Sequence, residues 1–178
     1  MSRTLERAPD ADVSEISRVA AYVELTKPGI AGYVMITTGT SFYVASRGSP
    51  AFLPLVHTLV GTVAATAGSL ALNQYIERRV DALMNRTRGR PLPSGRVDPI
   101  QALAFGGALL AAGLAWLYLA VGPLPAGVAA VSAGIYNLGY TPLKSRSYLA
   151  TLVGAVPGAL PVVIGWTAAA GELHLGGL

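Results

Sequence analysis

The chain has 178 residues, 52% hydrophobic and only 12% charged, with 13 Lys or Arg against 9 Asp or Glu and a formal charge of +4. Soluble domains carry about 25% charged residues, so this composition excludes an ordinary aqueous globule. Having no cysteine, the chain can build neither a disulfide framework nor a thiolate metal site, and a charge gathered at the edges of apolar stretches gives no reason to invoke a nucleic acid.

Charge placement sets the class. No charged residue lies between Lys27 and Arg47, Arg47 and Glu77, Asp98 and Lys144, or Arg146 and Glu172. The shortest gap is close to the roughly 20 residues that cross a bilayer as a helix. The third is about twice as long, and Gly122-Pro123-Leu124-Pro125 divides it. Five spans follow, at about 28–46, 52–86, 99–120, 126–140 and 148–169, forming an all-α polytopic transmembrane bundle in the lipid bilayer. Residues 1–20 read as a polar tail and 21–178 as one intramembrane unit. Arg3, Arg7, Arg18 and Lys27 precede span one, Arg78 to Arg96 lie between spans two and three, and Lys144 and Arg146 between four and five. The positive-inside rule then puts the N-terminus and both basic loops on the cytoplasmic side of a cell membrane. No apolar run precedes residue 20, so no cleavable signal peptide is expected.

Along the chain, Lys27-Pro28 opens span one with proline in the first turn. Span two meets no breaker before Gly89, so its helix is expected to run past Leu72 towards Arg86. Asp98-Pro99 reads as an N-cap with proline at the first helical position. Span five holds Pro157 and Pro161 among Gly154, Gly158 and Gly165; the prolines kink a membrane helix and the glycines admit close neighbours. Asn137 reads as an interhelical hydrogen-bonding residue, Tyr140 on its own as an interfacial aromatic, His57 as a helix-edge residue and His174 as exposed. Trp116, Tyr118 and Trp166 read as interface anchors.

One stretch, Asn73 to Arg96, concentrates polar chemistry. Asn73, Glu77 and Asp81 recur every four residues; each step drifts about 40° and rises about 6 Å, so the three share one stripe. Like charges at that spacing destabilise a helix slightly, and a divalent cation reverses the sign. Carboxylate and carbonyl oxygens suit Mg2+, which keeps waters and takes further ligands from substrate phosphates. Arg86 and Arg90 are also four apart with Arg88 between them, and guanidinium forks match phosphate. A metal-bound diphosphate accounts for the combination. An ordinary arginine-rich membrane anchor accounts for the arginines alone.

This stretch resembles the N-x3-D-x3-D signature of the UbiA-type intramembrane prenyltransferases. Its continuation D-x-x-M-x-R-T-x-x-R-P-L-P-x-G is similar to the protoheme IX farnesyltransferase branch, as are Tyr140-Thr141-Pro142-Leu143-Lys144, the Thr151–Pro161 segment and Gly165-Trp166. The resemblance implies an all-α intramembrane fold of about nine helices, five of them represented here, around a cavity open to lipid. It implies Asn73, Glu77 and Asp81 as the Mg2+–diphosphate site and Arg86, Arg90, Tyr140 and Lys144 as diphosphate contacts. It also implies transfer of farnesyl from farnesyl diphosphate to a vinyl group of haem b. Two departures are expected to matter. Glu77 stands where aspartate is usual and keeps an oxygen ligand. The family's second aspartate-rich motif is missing, so the sequence reads as the N-terminal part of a longer protein with activity of its own in doubt. The alternatives are a UbiA-type transferase for a quinone, chlorophyll or lipid precursor, and a non-catalytic membrane fragment.

Overall fold

The computed structural model describes residues 11–144 and 147–172, with side chains from residue 18 onward. Among these residues the chain is helical and has no strand. In chain order the elements are α1 (Ala11–Leu25), α2 (Pro28–Ala45), α3 (Phe52–Asp81), α4 (Pro99–Ala120), α5 (Pro123–Gly134), a π-helical segment (Ile135–Tyr140), α6 (Thr141–Leu143) and α7 (Ala150–Ala170). Three of them, α3, α4 and α7, are long and apolar enough to cross a membrane. Thr37, Thr38, Thr40 and Ser41 dilute the apolar character of the 18-residue α2. α5 has only 12 residues, and the π segment and α6 continue it without a break to Leu143.

Local chemistry explains the helix starts. Asp98 Oδ1 accepts from the backbone N–H of Ile100 at 2.8 Å and of Gln101 at 3.3 Å, with Pro99 in the first turn, as the sequence predicts. Pro28 likewise opens α2. α1 begins at Ala11, within the polar N-terminal stretch, and residues 1–10 lie outside the described ones. One expectation is corrected: the helix of span two stops at Asp81 rather than near Arg86. There the Thr87 hydroxyl donates to the Asp81 carbonyl at 2.8 Å, and the following loop folds back to bury Leu92 and Val97 against Ala71, Ala102, Ala21 and Leu25. A second core at the far end gathers Leu117, Ala126, Ala129 and Ile164.

The bundle is closed by small residues and a few polar cross-links. Gly68 and Gly113 bring α3 and α4 into backbone contact, and Gly165 brings α7 against the Thr38 carbonyl of α2. Ser41 donates from α2 to the Val162 carbonyl of α7 at 2.6 Å. Asn137 makes the interhelical bond expected of it, donating to Ser69 Oγ at 2.7 Å. Within the π segment, the backbone N–H and the hydroxyl of Thr141 both bond to the Tyr136 carbonyl five residues back. Pro142, just beyond, has no N–H to give to a regular ladder. Such local widening recurs at functional sites.

Candidate diphosphate site

The polar stripe of α3 sits where α2, α3, the folded-back loop and α6 converge, and each member is bonded to a basic residue from another element. Asn73, 1% exposed, accepts from Lys27 Nζ at 3.1 Å and donates to Thr141 Oγ1 at 3.0 Å. Glu77 pairs with Lys144 at 3.1 Å. Asp81, 5% exposed, pairs with Arg90 at 2.7 Å. Neighbouring bonds lock the frame. Gln74 donates to the Leu25 carbonyl at 3.0 Å, and Arg96 ties the loop to α1 through Glu24 at 2.8 Å.

Of the residues read from the sequence, Asn73, Glu77, Asp81, Arg90 and Lys144 therefore form one cluster. Tyr140 flanks it, its ring stacked on Tyr136 with centroids 5.5 Å apart and packed on Gly154. Arg86 is not drawn in: it is exposed, and no ion pair among the described residues ties it to the stripe. His57 contacts the Trp116 ring at a centroid distance of 5.6 Å. It lies 24 residues up α3 from Asp81, about 36 Å along a helix. His174 lies outside the described residues.

Two participants were not singled out from sequence. Lys27 reads there only as a flanking charge; here it occupies the left-handed region at φ 47°, shared among described non-glycine residues only with Arg47. Burial and, next, the Arg90 guanidinium lower its ammonium to about 8 against the raising effect of Glu77 and Asp81. Thr141 carries no charge to announce it, yet it joins Asn73 to the π segment.

Beneath the cluster lies a cavity of about 310 Å³ between α2, α3, α5 and α7. Its walls are mainly apolar, from Ile30, Val34, Leu70, Ala133 and Pro157, and Tyr136 belongs both to its lining and to the stacked pair at the cluster. The volume is in the range of small-molecule sites.

The donor chemistry fits Mg2+. A carboxylate has two oxygens, and the ion pair of Glu77, like that of Asp81, uses one. Among the described residues no three Asp, Glu, His or Cys side chains gather to form an all-protein cage. Mg2+ usually takes one or two carboxylates and completes its shell with water and substrate phosphate.

A family model described as the UbiA prenyltransferase family matches residues 34–178. The chain belongs to the UbiA prenyltransferase family. A protoheme IX farnesyltransferase of Solibacter usitatus is 45% identical over 161 residues, 85% of this chain and 55% of that protein. One from an Anaeromyxobacter species is 46% identical, covering 86% and 52%, and one from Aquifex aeolicus 43%, covering 88% and 54%. The chain thus spans about half the length of the curated relatives it matches. A solved structure described as "Structural and mechanistic insights into the biosynthesis of Digeranylgeranylglyceryl phosphate synthase in membranes" superposes with a TM-score of 0.76 at 20% identity. It covers 85% of this chain and 53% of that one, which shows the UbiA fold. Family membership agrees with the three membrane-length helices and makes this a membrane protein.

Proposed function

We propose that this chain is part of a protoheme IX farnesyltransferase that makes haem O from haem b and farnesyl diphosphate. The observation that carries the reading is the stripe of Asn73, Glu77 and Asp81, a cation on each member, set beside an apolar cavity that shares Tyr136 with it. The relatives, 43–46% identical and carrying that name, favour haem b over a quinone, chlorophyll or lipid acceptor.

In this reading Glu77 and Asp81, with Asn73 Oδ1, are the residues that would hold Mg2+ for the diphosphate. Mg2+ supplies stabilisation of the charge that develops on the leaving group. Arg90 and Lys144 donate charge-assisted hydrogen bonds to the same oxygens, and Arg86 adds positive potential from the mouth. Tyr140 borders the reacting carbon. The apolar walls take the farnesyl chain and keep water from the allylic centre. The allylic C–O bond breaks with its electron pair on the diphosphate, and the haem vinyl carbon bonds to C1. Water captures the cation left beside the porphyrin and loses a proton. The basic residues at this end of the bundle support a cytoplasmic site in the inner membrane.

Membranes containing the protein, given Mg2+, farnesyl diphosphate and haem b, are expected to accumulate haem O, read by chromatography and mass. Prenylation of a quinone precursor or a glycerol lipid, with haem b untouched, would overturn the acceptor assignment. Gly154 offers a second check. A Cβ there would come within 2.8 Å of Cδ2 and Cε2 of Tyr140. Gly154→Val is expected to push that ring off Tyr136 and raise the KM for farnesyl diphosphate by about tenfold or more, since small misplacements at a reacting centre are costly. An unchanged KM would remove Tyr140 from the site.

A further inference from the structure

The cluster carries one cation more than it carries carboxylates. Arg90 and Lys144 each have a carboxylate partner, at 2.7 and 3.1 Å. Lys27, half-buried, faces the same charges but spends its hydrogen bond on a neutral acceptor, Asn73 Oδ1, at 3.1 Å. Among the described residues, three cations against two carboxylates leave the cluster with one net positive charge, and the ammonium bonded to an amide rather than to a carboxylate is the one best placed to change partners. A partly desolvated cation is stabilised far more by an anion than by an amide carbonyl.

The surroundings of Lys27 fit an approaching ligand. The residue lines an open groove between α1 and α2, together with Val23, Glu24 and Ile30. Ile30 also lines the cavity between α2 and α7. Lys27 therefore lines an open groove on one side and reaches the cluster on the other. Its left-handed backbone, sterically costly for a residue with a Cβ, is held between two helices.

We propose that Lys27 is a further anchoring residue for the diphosphate. It holds Asn73 Oδ1 in the substrate-free protein and moves to a phosphate oxygen when the prenyl diphosphate enters, releasing Asn73 Oδ1. This rests on the diphosphate reading of the cluster. No covalent bond changes; the ammonium exchanges a neutral amide acceptor for an anionic phosphate oxygen.

The test measures binding of farnesyl S-thiolodiphosphate, and of inorganic pyrophosphate, in the presence of Mg2+ to the protein in nanodiscs. K27M keeps the aliphatic stem and is expected to weaken thiolodiphosphate binding about tenfold or more, the size of one lost charge-assisted hydrogen bond. K27Q should lose as much, and K27R should recover most of it. In the double variant K27M/N73A the two losses should multiply. A double variant no weaker than N73A would overturn the proposal, because Lys27 would then act only by holding the amide. So would wild-type affinity in K27M or K27Q. If the unaltered protein binds neither ligand, the diphosphate reading and this proposal fall together. If it binds and the Lys27 variants match it, only this proposal falls.

Discussion

Replacing Asp81 by alanine is expected to lower haem O formation by at least about 100-fold, the usual consequence of removing a group that stabilises developing charge. Asp81 is the last residue of α3, only 5% exposed, and its carboxylate lies 2.7 Å from Arg90. In the proposed site the substitution removes a metal ligand, and it also deprives Arg90 of its carboxylate partner. Because the Arg90 side chain is 25% exposed, water recovers part of that loss, and the stability cost should be about 1–3 kcal/mol. The two effects separate with Arg90→Met. The double variant D81A/R90M should regain much of the thermal midpoint lost in D81A, since no uncompensated guanidinium remains, and should stay inactive. Recovery of product in the double variant would reduce Asp81 to a structural ion pair. Normal haem O formation in D81A alone would dismiss the site altogether.

The stripe containing Asp81 is legible in the sequence because its geometry belongs to one helix: a spacing of four residues needs no knowledge of the fold. The start of α4 is legible for the same reason, as Asp98 caps N–H groups two and three residues away. The end of α3 is a different matter. No glycine or proline intervenes before Gly89, and the helix is stopped by tertiary events: Thr87 reaching back to the Asp81 carbonyl, and Leu92 and Val97 burying against α1 and α4. That reversal also decides among the arginines. Arg86 and Arg90 are both singled out by the sequence, but only Arg90 comes round to Asp81. Lys27 is 46 residues from Asn73, and no local pattern joins them. Its neighbours in the chain describe a helix entry and nothing more. Donor types and spacing, with the family resemblance, point to the proposed chemistry of the cluster, whereas the pairing of each stripe residue with its own cation is visible only in three dimensions.

The other large effect is expected far from the chemistry, where α3 and α4 touch. Gly113→Val should destabilise the protein by about 3 kcal/mol, at the upper end of what overpacking costs. A Cβ on Gly113 would press on the Ala65 backbone nitrogen and lie 2.8 Å from Ala65 Cα and 2.9 Å from the Ala64 carbonyl carbon. One turn along α3, Gly68 repeats the constraint, its added Cβ falling 2.7 Å from the Gly106 carbonyl oxygen and 2.8 Å from Leu110 Cα. Backbone on both sides cannot step aside as a side chain would, so α4 must move as a body. α4 carries Ala102, which buries against Ala71, and Gln101, which accepts from Tyr22 at 3.1 Å. A shift there would disturb the seat of the loop that delivers Arg90. Gly107 is the control. It lies in the same helix with nothing within 4 Å of an added Cβ, so Gly107→Val should change stability by no more than about 0.5 kcal/mol. The comparison is read from unfolding midpoints of the two variants in the same detergent. Equal midpoints would mean that the α3–α4 contact does not hold the bundle together.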